Sequence, residues 1–482
     1  MSSCYRTPDK LWRPKTLAIC VSAACLLSAC SLAPETAMEP LPTPTAWKHA
    51  PTAPGWVSAD AARAWHAGQW WLLWDDPVLH GLLARVDLNN QNLKAAAANV
   101  AQAQALLRQQ RAGLWPQLGA QASQQRSGGD DSATTRSASL SLTASWAPDL
   151  WGRIGSAVDA QAASAQASEA DLAGARLDAQ ASLAQAYFAL RETDAELALM
   201  DEIIAGYERS ARITQNRYDV GVVPRTDTFQ AEATLRNAQA SRVALQGTRA
   251  GYEHAIALLA GEAPAGFAVG PAPWTGAVPV VPAEVPSLLL LRRPDVASAE
   301  RAVSAANQQI GVARGAYFPS LSLSAGLGAS GSHLGDLLSA PSLLWSLGVA
   351  LAQTVFDGGA RDAQVDQALA ARDAAVARYR QSALTAMKEV EDQLNALATL
   401  ATQTDHARAA AELAERIEQQ MLNRYQAGLT SYTEVVTAQA SALSARRSLL
   451  QLQVQRQQAA LGLIQALGGG WQAPWAQAPA GS

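Results

Sequence analysis

The chain repeats itself once, at long range. Asn216-Arg217-Tyr218-Asp219-Val220-Gly221 returns 207 residues later as Asn423-Arg424-Tyr425-Gln426-Ala427-Gly428. Upstream, Leu114-Trp115-Pro116-Gln117-Leu118 is matched 203 residues on by Tyr317-Phe318-Pro319-Ser320-Leu321. Both halves close alike, at Ala260-Gly261 and Leu467-Gly468. Landmarks that keep their order at a nearly constant offset indicate duplication. A unit of about two hundred residues excludes the solenoid repeats, whose periods are roughly 20–50 residues. A Pro- and Gly-rich stretch separates the halves, with the composition of an extended connector. The expected organisation is residues 1–29 as leader, 30–76 as N-terminal tether, 77–262 as first repeat, 263–285 as linker, 286–469 as second repeat and 470–482 as tail.

Inside the first half, a helix is predicted from about Pro77 to Ala112. Two segments then alternate with a period of two, Gln117–Gln125 and Ser139–Trp146, around a polar, Gly-containing loop from Arg126 to Arg136. A helical stretch without proline runs from about Gly155 to Tyr218, and a second helix returns from Thr226 to Ala260. The second half repeats the plan, with strands at Ser320–Ser330 and Trp345–Phe356, a long helix from Ala360 to Tyr425 and a returning helix from Tyr432 to Leu467. At 1.5 Å per residue the long helix extends about 95 Å, and the first and returning helices about 54 and 52 Å. One long helix therefore matches two shorter partners laid end to end. Alanine carries much of the 49% hydrophobic share, and charged residues are only 16%. Small side chains and few charges suit helices packed closely without a thick apolar core.

The N-terminus is an address. Arg6, Lys10, Arg13 and Lys15 precede an apolar run from Leu17 to Leu27, the layout of a bacterial export signal. The run ends Leu27-Ser28-Ala29-Cys30, which resembles a lipobox, and that resemblance implies cleavage before Cys30 and acylation of it, with S-diacylglycerol and N-palmitoyl groups. Ser31, in the place where an inner-membrane retention signal has Asp, favours the outer membrane. All four cysteines lie at or before position 30, so no disulfide forms in the mature body. No later apolar run reaches the roughly 20 residues a membrane helix needs, so any crossing must use a closed β-barrel. Four strands do not close, since the smallest barrels have about eight; two copies supply eight and three supply twelve. Ala120, Ala122, Gly326 and Gly328 suit either lumen or lipid, Leu140, Leu142, Leu347 and Leu351 suit lipid, and Trp115, Trp146, Phe318 and Trp345 sit where membrane barrels carry aromatic girdles. A water-soluble sheet packed on helices is the other reading of the alternation.

The ordered set of motifs resembles the TolC-type outer membrane efflux factors, in their lipoprotein branch. It comprises Leu73-Trp74-Asp75-Asp76-Pro77-Val78-Leu79, Leu290-Leu291-Arg292-Arg293-Pro294-Asp295-Val296, Tyr317-Phe318-Pro319, Phe356-Asp357-Gly358-Gly359 and the two Asn-Arg-Tyr-x-x-Gly turns. The resemblance implies a mainly α, internally duplicated fold with a membrane β-barrel. In it a homotrimer builds a twelve-stranded barrel and a twelve-helix periplasmic tunnel. It implies a passive exit duct in the Gram-negative outer membrane, served by a periplasmic adaptor and an inner-membrane pump, RND type first, in contact with outer membrane lipids. By matching positions, Gly221, Val222, Gly428, Leu429 and Ser431 are the periplasmic tip residues that meet the adaptor, and Asp227, Tyr425 and Glu434 form the aperture gate. Thr430 stands where the family's best-known gate has arginine, and Arg225 lies in the equivalent first-half turn.

Other classes find little support. Lys plus Arg is 37 against 41 Asp plus Glu, so no basic excess calls for nucleic acid. The six histidines are scattered, no zinc spacing, phosphate loop or nucleophile elbow occurs, and neither enzyme activity nor a cofactor is expected. Glu389, Glu391 and Asp392 read as a solvated helix face or tunnel lining. Trp65, Trp70, Trp71 and Trp74 read as an anchor for the N-terminal segment in preference to a sugar site. The alternatives to an efflux duct are a periplasmic, non-channel lipoprotein scaffold and the outer membrane duct of a type I secretion system.

Overall fold

The computed structural model describes residues 32–34, 43–49, 68–130, 132–274, 276–281, 292–332 and 343–477. The leader, Cys30 and Trp65 lie outside the described residues. The first half contains α1 (Pro77–Asn89), α2 (Gln91–Ala112), β1 (Gln117–Gly129), β2 (Ser132–Trp146), α3 (Arg153–Asp219) and α4 (Arg225–Leu259). The second contains α5 (Pro294–Gly315), β3 (Ser320–Gly331), β4 (Leu343–Ala352), α6 (Ala360–Gln426) and α7 (Tyr432–Ala466). The duplication is carried to the residue: α3 and α6 are each 67 residues long, and α4 and α7 each 35.

The chain forms two compact units. Among the described residues, one contains 32–34, 100–168 and 299–379, and the other contains 43–49, 68–99, 169–298 and 380–477. In the first, the four strands make one antiparallel sheet in the order β1-β2-β3-β4, so the two hairpins pair with each other through β2 and β3. The register sorts the side chains. Leu118, Ala120 and Ala122 share a face with Leu140, Leu142, Leu323, Leu327, Leu347 and Leu351, while Ser139, Ser141, Thr143, Ser322, Ser324, Gly326, Gly328 and Gly348 share the other. Ala120 and Ala122 therefore separate from Gly326 and Gly328, the two alanines onto the apolar face and the two glycines onto the polar one. The apolar face stays open, with Leu118, Leu347 and Val349 each at least 75% exposed. On the polar face glycine faces serine across β3 and β4, and a Cβ on Gly348 would lie 2.6 Å from Ser324 Oγ. At the strand ends Trp151 stacks on Phe318 at 5.1 Å and donates to the Pro319 carbonyl at 2.7 Å, and Trp146 donates to the Leu114 carbonyl at 3.0 Å.

Three predicted boundaries change. The strand expected over Trp345–Phe356 runs from Leu343 only to Ala352, where its pairing with Ser320 at the start of β3 ends. The polar loop at 126–136 is mostly strand, because pairing continues past Arg126–Arg136 to Gly129–Ser132. Backbone ladders need no apolar side chains, and Ser127 and Thr135 add a hydroxyl–hydroxyl bond of 2.8 Å. The single helix expected over 77–112 is broken at Asn90, whose backbone is extended. Its carboxamide oxygen accepts from Asn92 and Leu93 N–H, capping α2, and its Nδ2 donates to the Leu259 carbonyl.

In the second unit Trp70, Trp71 and Trp74 are buried, edge to face, with Trp74 against Phe188. The three described tryptophans anchor the N-terminal segment, as expected. Arg293 of the Leu-Arg-Arg-Pro-Asp motif is buried, held by Asp295, by Glu389 at 2.6 Å and by the Ala466 carbonyl at 3.1 Å. Glu391 accepts from the backbone of Lys48 and His49 and from the His49 ring, and Asp392 accepts from Lys388. Each of the three acids thus has its own basic or backbone partner, and Asp392 and Glu389 stay largely open to solvent, in keeping with a solvated helix face. The matched ends at Gly261 and Gly468 have a steric cause: a Cβ on Gly468 would stand 2.1 Å from the Arg292 carbonyl oxygen.

Candidate functional site

The two Asn-Arg-Tyr turns lie in the second unit and share one backbone. α3 and α6 end in glycines with left-handed backbones, Gly221 at φ +76° and Gly428 at φ +78°. Gly221 and Val222 N–H donate to the Tyr218 and Arg217 carbonyls at 2.8 Å; Gly428 and Leu429 N–H donate to Tyr425 and Arg424 at 2.9 Å. This is the double bond pattern that closes a helix end on a glycine. The next helices start from extended residues, Pro224 and Ser431, neither of which caps with its side chain. Val220, Val222 and Leu429 project into solvent at 74%, 61% and 70% exposure.

The side chains diverge. Tyr425 is 2% exposed and packs with Tyr432 (ring centroids 5.2 Å apart), Ala231 and Val435. Its hydroxyl donates to Thr214 Oγ1 at 3.4 Å. Arg217 stacks its guanidinium 4.7 Å over the Tyr425 ring and donates to the Tyr425 carbonyl. Burial, reinforced by Tyr425, Tyr207 and Asp227, pushes the Tyr432 hydroxyl far above the ordinary phenol range. In the first-half turn Tyr218 is 36% exposed, and Arg225 lies over Phe229 at 5.1 Å.

The predicted gate residues are not brought together as a set. Tyr425 turns its hydroxyl to Thr214 inside its own chain, and no hydrogen bond joins it to Asp227 among the described residues. Asp227 is half-buried near Tyr432. Glu434 is exposed and accepts from the Thr430 hydroxyl, a local bond within the turn. Arg217 and Thr214 were missed by the sequence reading, although Arg217 sits inside the repeated motif. Among the described residues no group of three or more His, Cys, Asp or Glu is placed to hold a metal ion. No described helix is long and apolar enough to cross a membrane.

The model of the outer membrane efflux protein family matches the chain twice, over residues 82–262 and 285–469, one match per repeat. This chain belongs to the outer membrane efflux protein family. It is 31% identical to the cation efflux system protein CusC of Escherichia coli O6:H1 over 95% of this chain and 99% of that one. It is 33% identical to the pyoverdine export outer membrane protein OpmQ of Pseudomonas aeruginosa over 94% of this chain and 96% of that one. Among solved structures, the outer-membrane channel OprN covers 92% of this chain and all of its own, with a TM-score of 0.83 and 27% identity. The open state of the MtrE outer membrane channel of Neisseria gonorrhoeae covers 92% of this chain and 99% of its own, at 0.80 and 26%. This outer membrane efflux protein is thus an efflux channel of the Gram-negative outer membrane that extends into the periplasm, and the non-channel scaffold reading is set aside. Its family is one of transport channels.

Proposed function

We propose that three copies of this outer membrane efflux protein form one passive duct, with no catalytic step and no cofactor. One observation carries the reading: among the described residues the sheet is open, with β1 and β4 as its unpaired edges and an exposed apolar face. Unpaired edges cannot stand in lipid, where every backbone polar group needs a partner. Pairing β4 of one copy with β1 of the next removes the edges, and three copies give twelve strands with the apolar face on lipid and the Ser/Gly face on the lumen. Acylated Cys30 adds the lipid anchor. The exposed Val222 and Leu429, with Gly221, Gly428 and Ser431, form the docking surface for a periplasmic adaptor that couples the duct to an inner-membrane pump of RND type. Relatives named for cations and for pyoverdine share this architecture, so cargo choice rests with the pump.

At the aperture, Asp227 and Glu434 supply the polar contacts that hold the tips closed, and Tyr425 supports them from inside its own chain. Light scattering in detergent should give three times the mass of one chain, and planar bilayers should show single-channel conductance. A monomer without conductance overturns the duct. Asp227→Ala should raise the conductance, and an unchanged trace overturns its gate role. A photo-crosslinker at Leu429 should capture the adaptor.

A further inference from the structure

We propose that Arg424 of one copy grips the Tyr218 turn of the next copy, repeating between chains the grip that Arg217 holds on Tyr425 within one chain. The proposal rests on the trimer reading above.

The grip seen inside the chain has three parts. The Arg217 guanidinium covers the Tyr425 ring at 4.7 Å, donates to the Tyr425 carbonyl, and passes 3.6 Å from the point a Cβ on Gly428 would occupy. The Tyr425 carbonyl is one of the last of α6, left without an intrahelical partner, and it stands at the negative end of the helix dipole. It accepts two bonds, one from Gly428 N–H and one from Arg217.

The duplication supplies the same parts a second time, and there they stand apart. Arg424 is the counterpart of Arg217, and Tyr218 the counterpart of Tyr425, both at the offset of 207 residues. Arg424 is exposed, and no hydrogen bond or ion pair of its side chain occurs among the described residues. Tyr218 is 36% exposed, and its carbonyl accepts from Gly221 N–H alone among the described residues. One donor and one acceptor of the same kind are left over.

The flanking surface agrees. On α3, Ser210 and Thr214 precede Arg217 and are buried against the second-half hairpin, where Gln439 Nε2 reaches Ser210 Oγ and Tyr425 reaches Thr214. The matching face of α6 carries Ile417 in place of Ser210, with Leu413 one turn earlier, and both are more than half exposed. Two large apolar side chains in line with an unpartnered arginine make a face that awaits a partner. In a closed ring of three two-repeat chains, first-half and second-half turns alternate, and every turn has a neighbour on each side. Continuing the direction of the Arg217 contact around that ring brings Arg424 to Tyr218 of the following copy.

The mature chain makes the test simple, since every native cysteine lies at or before position 30. A chain with Arg424→Cys and Tyr218→Cys, treated in detergent with a short bismaleimide, should give linked dimers and trimers on a denaturing gel, and either single variant only monomer. A double variant that is trimeric by light scattering yet gives no ladder overturns the grip and leaves the trimer standing. A wild-type chain that is monomeric overturns both. If the double variant alone fails to assemble, Arg424→benzoylphenylalanine decides: an adduct within residues 214–222 of another copy supports the grip, and an adduct to its own chain, to an adaptor or to nothing overturns it.

Discussion

The two Asn-Arg-Tyr turns have the same backbone and opposite surroundings. Gly221 and Gly428 sit at φ values two degrees apart, with the same pair of closing hydrogen bonds. Yet Tyr425 is buried under Arg217, while Tyr218 looks into solvent. Duplication preserved what the chain needs to reverse direction and released the side chains for separate tasks. The second turn is tied from both halves of the molecule, through Thr214, Arg217 and Ala231 on one side and Tyr432 and Val435 on the other. The first turn has no tie to the other half comparable to that one: beside its backbone bonds it has the Gln215–Asp219 side-chain bond and the Arg225–Phe229 stack, both local.

The tyrosines should show the largest difference. Tyr425→Ala empties a buried site and should cost about 3–5 kcal/mol, read as accelerated amide exchange over residues 422–436; Tyr218→Ala should cost less than about 1 kcal/mol. Equal costs would break the comparison. Next come the arginines. Arg217→Ala removes a stacked cation and a charge-assisted hydrogen bond, about 2 kcal/mol together. Arg424→Ala should match it in the assembled channel and cost under about 0.5 kcal/mol in dilute monomer, so exchange measured in both states sharpens the comparison into one of assembly. The glycines should be alike: Gly221→Ala and Gly428→Ala each force a left-handed backbone on a residue with a Cβ, about 1–2 kcal/mol. A larger loss at Gly428 would show that Arg217 cannot yield. The smallest effect concerns Glu418, half-buried where the first half has Ala211. Burial is the main cause that raises its carboxyl above the usual range. The folded chain therefore holds that proton more tightly than the unfolded chain. Its contribution is full below the ordinary Glu range and fades as pH rises from about 4.5 through the raised value. Glu418→Gln should flatten that slope in denaturation curves measured across pH, and an unchanged slope would count against it.

Much of this was legible in the residues. Helix lengths followed from glycine and proline at the turns, and the repeat checked each boundary against its twin, as with the 67-residue pair α3 and α6. The strands were legible where one face is apolar. They were lost between Arg126 and Arg136, where both faces are polar and only the backbone ladder holds the pair. The break at Asn90 left no periodic signal, since one extended residue with a capping side chain interrupts a helix without changing its composition. At the two Asn-Arg-Tyr turns, the glycines and exposed aliphatic residues were readable from the motif. The burial of Tyr425 was not, because it depends on Thr214 and Arg217, more than two hundred residues away in sequence.

The polar face of the sheet has a consequence for permeation. From Gln117 to Gln125, Ser137 to Ser145, Ser320 to Ser330 and Leu344 to Ala352, the residues on that face are serine, threonine, glutamine, glycine, alanine and one leucine, with no ionised group among them. Pores discriminate between anions and cations chiefly through rings of fixed charge. A wall of hydroxyls and bare backbone offers dipoles that reorient toward either sign. In the trimer proposed above, this stretch of the wall would therefore carry no ring of fixed charge, and under a salt gradient any reversal potential would report charge beyond it, on the hairpin end or on the helices.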